Sequence, residues 1–233
     1  MLDSLYPPVC PVCGDVLGVT SGTRAEVHKK CRELLKYVEE PMCCKCGKHL
    51  DHIVEYCRDC GDTEHYFDRV LPVFEYSDEI KKSIYDFKYN NRRSYSGFFA
   101  AEIYKRYRDF FEVYKPDIII PVPMFKKKER QRGYNQAALL AADLSRMTGI
   151  SYSEEILIRV RKTSPMKDLE RKDRLQNLKE AFSIREPLSS IYKVLLVDDI
   201  YTTGATMDEC SLILKGAGAR EVYGIALCIG SGF

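Results

Sequence analysis

Cysteine spacing is the first feature of this chain that could do chemistry. Eight of its ten cysteines lie within the first sixty residues. Six of them form Cys10-Pro-Val-Cys13, Cys43-Cys-Lys-Cys46 and Cys57-Arg-Asp-Cys60, each pair followed by glycine. Two residues between thiolates place both sulfurs on one edge of a zinc tetrahedron. A following glycine permits the backbone twist that turns N–H groups toward sulfur. His28-Lys-Lys-Cys31 supplies a fourth pair of the same spacing. The expected sites are Cys10, Cys13, His28 and Cys31 for one ion, and Cys43, Cys46, Cys57 and Cys60 for a second. A crossed pairing, or His28 as a surface residue with one ion only, is the alternative. Closed four-ligand sites leave no position for water or substrate, so the zinc is expected to be structural, bracing a larger domain or docking a partner. Cys44 reads as a spectator, His49, His52 and His65 as surface residues, and Cys210 and Cys228 as buried thiols.

The second feature is Val194-Leu-Leu-Val-Asp-Asp-Ile-Tyr-Thr-Thr-Gly-Ala-Thr206. An apolar β-branched run ends in two acids, and a short Thr/Gly loop then opens a helix. Ligands of open α/β sheets bind at the carboxyl ends of strands. Thr202, Thr203 and Thr206 offer hydroxyls, while Gly204 and Ala205 let backbone amides approach a phosphate at the helix start. Two acids beside a phosphate cradle repel the ligand unless they have another task. Asp198 and Asp199 could accept hydrogen bonds from vicinal ribose hydroxyls, partly through Mg²⁺. No Walker-A loop or GxGxxG fingerprint competes with this segment.

The elements that must position these groups follow from hydrophobic period. Strands are expected over 66–76, 117–122, 156–160, 181–184, 194–197 and 221–229. Helices are expected over 78–88, 95–111, 135–147 and 206–215. The alternation implies an α/β domain, a mostly parallel sheet with helices on both faces, over 64–233, preceded by a zinc-ribbon module over 1–63. The net charge is only +2, but residues 124–174 hold 13 Lys/Arg against 7 Asp/Glu. That local field suits phosphorylated ligands or a nucleic-acid backbone, or is simply a solvated basic surface. No apolar stretch is long enough to span a bilayer and no secretory leader is visible, so no membrane insertion is expected. Ten cysteines without an export signal suit metal-held thiolates in a reducing cytoplasm.

The acid-acid-Thr-Thr-Gly segment resembles the 5-phosphoribosyl 1-pyrophosphate (PRPP) signature of type I phosphoribosyltransferases. Pro121-Val-Pro123, the basic run after it and Arg132-Gly-Tyr-Asn-Gln136 are similar to the ComF family of competence-associated proteins. So are Phe87-Lys-Tyr89, Arg174, Asn177 and Ala181-Phe182, and with the cysteine pairs the resemblance covers nearly the whole chain. It implies a type I phosphoribosyltransferase-like fold, with pyrophosphate held in a loop after the Pro121-Val-Pro123 strand. Lys126, Lys127, Lys128, Arg130 and Arg132 are its candidate cations, Arg130 and Arg132 foremost. Residues 161–173, with Arg161, Lys162 and Lys167, take the place of the mobile loop that closes such sites. Met166 stands where a glutamine is frequent. Thr202 stands where oxopurine enzymes carry the aspartate that activates the base, which argues against that substrate class. At the cellular level the resemblance implies a link to DNA uptake, with single-stranded DNA and a DNA-uptake helicase as partners. The readings open at this point are Mg²⁺-assisted phosphoribosyl transfer to an unidentified acceptor, PRPP or nucleotide sensing without turnover, and a DNA-binding adaptor.

Overall fold

The computed structural model describes residues 7–20, 23–24, 26–161, 178, 180–188, 191 and 193–230. The cysteine-rich segment carries a two-stranded ribbon, β1 (Val19–Thr20) and β2 (Thr23–Arg24), and two short helices, α1 (Lys29–Glu33) and α2 (Arg58–Gly61). Then come β3 (Arg69–Glu75), α3 (Asp78–Tyr89), α4 (Tyr95–Arg106), α5 (Arg108–Val113), β4 (Ile118–Pro121), α6 (Lys126–Arg132) and α7 (Gln136–Thr148). After these follow β5 (Leu157–Arg159), β6 (Phe182–Ile184), β7 (Lys193–Tyr201), α8 (Ala205–Gly216) and β8 (Glu221–Ile229).

Four strands form one parallel sheet in the order β3-β8-β7-β4. Side chains on a strand alternate between faces, and the core divides accordingly. Leu71, Val73, Ile119, Leu195, Val197, Ile225 and Leu227 pack with residues of α3, α4, α5 and α7 on one face. Val70, Ile118, Ile120, Val194, Leu196, Val222 and Ala226 pack with α8 and with β5 and β6 on the other. Burial on both faces explains why these strands are almost wholly apolar. β5 and β6 pair antiparallel with each other, outside the main sheet.

Three expectations need correction. The helix expected over 95–111 is broken at Tyr107 (φ −113°, ψ 29°). There Arg106 donates to the Val38 carbonyl and Tyr107 to the Pro72 carbonyl, tying the break to the edge strand. The basic run after Pro123 is the helix α6, closed by left-handed Gly133 (φ 88°), because Lys, Glu, Arg and Gln are good helix formers. β7 continues four residues beyond the apolar run, since Asp198, Ile200 and Tyr201 keep register with Ala226, Cys228 and Ile229.

The cysteine-rich segment straddles the sheet edge. β3 is an edge strand, and unpaired edges invite foreign strands. Here the edge is covered: Val38 N–H donates to Val73 O (3.1 Å), Glu75 N–H to Lys36 O (2.9 Å) and Val70 N–H to Lys45 O (2.8 Å). Cys10, Val12, Val27, Cys31 and Leu35 join the core of the first face, whereas Val38, Cys43, Cys46, Leu50 and Cys57 join that of the second. The two cysteine groups therefore brace opposite faces of one sheet. Arg32 reaches buried Glu102 of α4 at 2.7 Å, and Tyr37 OH donates to the same carboxylate at 2.5 Å. Among the described residues no helix is long and apolar enough to cross a membrane.

Candidate functional site

The eight metal candidates gather into two quartets, Cys10, Cys13, His28 and Cys31, and Cys43, Cys46, Cys57 and Cys60. Within each, the ligand atoms lie within 4.8 Å of one another. His28 Nε2–H donates to the Val16 carbonyl (3.3 Å), which leaves Nδ1, 3.4 Å from Cys13 Sγ, as the lone-pair nitrogen facing the cluster. Gly14 (φ 88°) and Gly47 (φ 71°) are left-handed, and their N–H groups donate to the carbonyls of Cys10 and Cys43. Gly61 differs: it ends α2, with its N–H on Cys57 O. The described N–H bonds to sulfur come from Asp15 to Cys13 and from Cys57 to Cys43. Thiolates and one neutral imidazole at this separation are a borderline-soft, tetrahedral donor set, which suits zinc. Cys44 is exposed; Cys210 and Cys228 are buried.

The first quartet is held from α3 and α4. Ser83 donates to Pro11 O at 2.5 Å, Lys82 to Cys13 O at 3.0 Å and Tyr95 OH to Cys10 O at 3.3 Å. The second lies against β3: a Cβ on Gly47 would come 2.3 Å from Pro72 Cδ, so only glycine allows this approach. His65 corrects the sequence reading. It is buried, not a surface residue, because its Nδ1 bonds Asp208 Oδ2 (2.6 Å) and its ring stacks on Phe67 (4.6 Å).

The carboxyl end of β7 holds the second candidate site. Adjacent residues on an extended strand lean to opposite faces, and the two acids do so. Asp199 points to the α3 side, where Lys88 Nζ lies 2.8 Å from its Oδ2. Asp198 accepts a hydrogen bond from Asp199 N–H (2.8 Å) and feels the positive charge of Arg159 on β5. Burial, then the neighbouring Asp199 charge, pushes the Asp198 pKa up to about 7, with Lys88 and Arg159 restraining the rise. Burial works against the charge on Lys88, but the pull of Asp199 and Asp198 more than offsets it, and its pKa rises.

The loop beyond is shaped for close approach. Gly204 caps α8 in the left-handed region (φ 81°), and a Cβ there would sit 2.5 Å from Tyr201 Oη. Tyr201 is buried edge-on to Phe67 (6.1 Å), whose ring lies under Lys45. The loop thus rests on the second cysteine quartet. Thr202 is exposed, Thr203 and Thr206 are half-buried, and Ala205 is buried. The first amides of α8, like those of any helix, lack intrahelical acceptors and can receive an anion.

α6 brings cations to this end of the sheet. Burial, then repulsion from Arg132, Lys88 and Arg159, lowers the Lys128 pKa, which places these four cations in one field together with Asp199. Lys128 and Arg132, four apart, share a face, and Arg130 lies on the opposite one; Lys126, Lys127, Lys128 and Arg130 are all exposed. Arg132 sits over the Tyr89 ring (4.8 Å) and donates to Gln136 Oε1 (2.5 Å). Tyr134 OH donates to Phe87 O, and Asn135 caps α7 while bonding Val122 O (3.0 Å). The Arg132–Gln136 motif therefore joins the end of α3 to the end of β4. Lys88 and Lys128 are the residues that sequence reasoning underused; the signal for Lys88 was its place in Phe87-Lys-Tyr89. Residues 162–177, with Lys162, Lys167, Arg174 and Asn177 of the expected mobile loop and motif, lie outside the described residues.

Residues 1–61 match the family described as Double zinc ribbon domain. Over 193 residues the chain is 35% identical to Competence protein F of Haemophilus influenzae, covering 80% of this chain and 84% of that one. This chain belongs to the ComF family. Other similar proteins are Competence protein ComFC of Bacillus subtilis (31% identity, 83% of this chain, 80% of that one) and DNA utilization protein YhgH of Escherichia coli K12 (29%, 82% and 85%). Among solved structures, a purine phosphoribosyltransferase of Pyrococcus horikoshii superposes at TM-score 0.36 with 20% identity, over 56% of this chain and 70% of its own. That likeness is too distant to carry function. For this ComF-family chain, the ribbon match and the two quartets together support structural zinc.

Proposed function

We propose that this ComF-family protein binds PRPP at the carboxyl edge of its sheet and transfers the phosphoribosyl group to an acceptor. The observation that carries the reading is the convergence of an acid pair, a left-handed glycine loop opening α8, and the cations Lys128 and Arg132 on one edge. Asp198 and Asp199 take the ribose hydroxyls. Thr202, Thr203, Gly204, Ala205 and Thr206 cradle the 5-phosphate, and α6 holds the pyrophosphate, through Lys128 and Arg132 and less through Arg130. In the reaction the C1–oxygen bond to pyrophosphate breaks, its electron pair leaves with pyrophosphate, and an acceptor lone pair forms the new bond to C1. Preorganised cations stabilise charge growing on the leaving group. Mg²⁺ bound with PRPP supplies further shielding of the pyrophosphate oxygens. Mixing the protein with PRPP, Mg²⁺ and a panel of nucleobases and amines is expected to release pyrophosphate with one acceptor class. Tight PRPP binding without release under every acceptor defeats the catalytic part and leaves a PRPP sensor.

Relatives named for competence and DNA utilization support a reading of the cellular setting. We place the protein in the cytoplasm, serving DNA uptake, with single-stranded DNA and a DNA-uptake helicase as partners. One surface supports contact with DNA. Tyr85 and Tyr89 are exposed with ring centroids 4.9 Å apart, beside Arg132, and bases stack on such rings while cations track the backbone. Salt-sensitive binding of single-stranded DNA, weakened at least about tenfold by Tyr85→Ala with Tyr89→Ala, is the expected result. Equal retention by the double variant counts against it.

A further inference from the structure

The acid pair carries its own counter-cations. Lys88 Nζ lies 2.8 Å from Asp199 Oδ2, and its side chain is only 18% exposed. Its position is fixed from both sides in sequence. Phe87 is fully buried, with its carbonyl holding the Tyr134 hydroxyl, and Tyr89 lies beneath Arg132. A lysine in the last turn of α3 also complements that helix's negative end. Lys88 is thus held at Asp199 by a surrounding frame and is not a mobile surface charge.

In a phosphate-binding site, a pair of half-buried carboxylates needs cation close by, and a divalent ion is the common answer. We propose that Lys88 takes, at Asp199, the place a divalent cation would otherwise fill, so that a ribose 5-phosphate lacking pyrophosphate binds without metal. This rests on the PRPP reading above and adds a role for a residue outside the acid-acid-Thr-Thr-Gly segment. The stoichiometry is balanced: two carboxylates face one cation on each side of the strand, Lys88 toward α3 and Arg159 toward β5. Bonding at Oδ2 leaves Asp199 with acceptor sites for a hydroxyl, since a carboxylate has about four. Lys128 and Arg132 then remain for the polyanion, and metal is required only where pyrophosphate adds its charge. Lys88 is a positioning residue: it acts on the ligand through Asp199.

Calorimetric titration of ribose 5-phosphate into the zinc-loaded full chain tests this, in chelator-free buffer without Mg²⁺ and again with Mg²⁺. The wild type is expected to bind equally in both. Lys88→Met is expected to lose about tenfold or more without Mg²⁺, the scale of a charge-assisted hydrogen bond, and to regain affinity with it. Lys88→Arg is expected to keep metal-free binding. A wild type that needs Mg²⁺ for ribose 5-phosphate while binding PRPP overturns this inference alone. So does a Lys88→Met variant that binds as the wild type does without Mg²⁺. A wild type that binds neither compound overturns the PRPP reading and this inference with it. The wild-type comparison decides the matter even where the methionine variant does not fold.

Discussion

Removing zinc from this protein is expected to unfold the sheet as well as the ribbons. A structural zinc site contributes on the order of 10 kcal/mol, comparable with the whole stability of a domain. Here that contribution is not confined to the N-terminus. Cys10 and Cys31 share a core with Leu195 and Ile225, and Cys43, Cys46 and Cys57 share one with Leu196 and Ala226. The segment between the quartets also supplies the hydrogen bonds that cover β3. Elemental analysis is expected to find two zinc ions per chain, and chelation to lower the melting temperature by more than about 10 °C. Cys43→Ser is expected to be the more severe single change, because Cys43 is wholly buried and the second quartet underlies Phe67, Tyr201 and the Gly204 loop. His28→Ala removes a half-buried ligand and is expected to cost less. Verified metal-free protein melting with the native transition contradicts this account.

Asp198→Asn is expected to make the protein more stable and less able to bind. Burial and the Asp199 charge raise the Asp198 pKa to about 7, from an ordinary 3.8. A raised acid favours its protonated form in the fold. From about pH 4 to 7 the folded chain therefore holds a proton that the unfolded chain releases, and folding stability falls as pH rises across that window. Above pH 7 both forms are ionised and the full cost remains, on the order of 2–4 kcal/mol. Asparagine keeps the acceptor for Asp199 N–H and removes the charge. The melting temperature of Asp198→Asn is thus expected to exceed that of the wild type by roughly 5–10 °C at pH 8, with the gap closing near pH 4. Ribose-phosphate affinity is expected to drop about a hundredfold, the exchange usual at functional sites. Equal melting curves at pH 8 rule out a strained acid at this position.

Much of this arrangement was legible in the sequence. Continuous apolar runs marked β4, β7 and β8, and cysteine spacing marked the two quartets. The alternation of strands and helices anticipated a parallel sheet covered on both faces. What failed to show has specific causes. The last residues of β7 are polar or mixed, and they stay in the sheet because backbone pairing with β8 does not depend on side-chain type. Lys126–Arg132 reads as a basic loop by charge, yet its residues favour helix, and Gly133 ends it. On that helix Lys128, four residues before Arg132, shares its face, and Arg130 does not. Neither Lys88 nor the straddling of β3 by the cysteine segment leaves a periodic trace, since both rest on contacts between residues far apart in the chain. His65 was misread for the same reason: its partner Asp208 lies 143 positions away.

The most direct measurement is calorimetric titration of PRPP with Mg²⁺ into the zinc-loaded wild type and into the Asp198→Asn, Asp199→Asn double variant. One ligand per chain for the wild type, and at least about a hundredfold weaker binding for the variant at an unchanged or raised melting temperature, is the predicted result. Equal affinities, or no heat with the wild type, contradict the claim that the end of β7 grips a sugar phosphate.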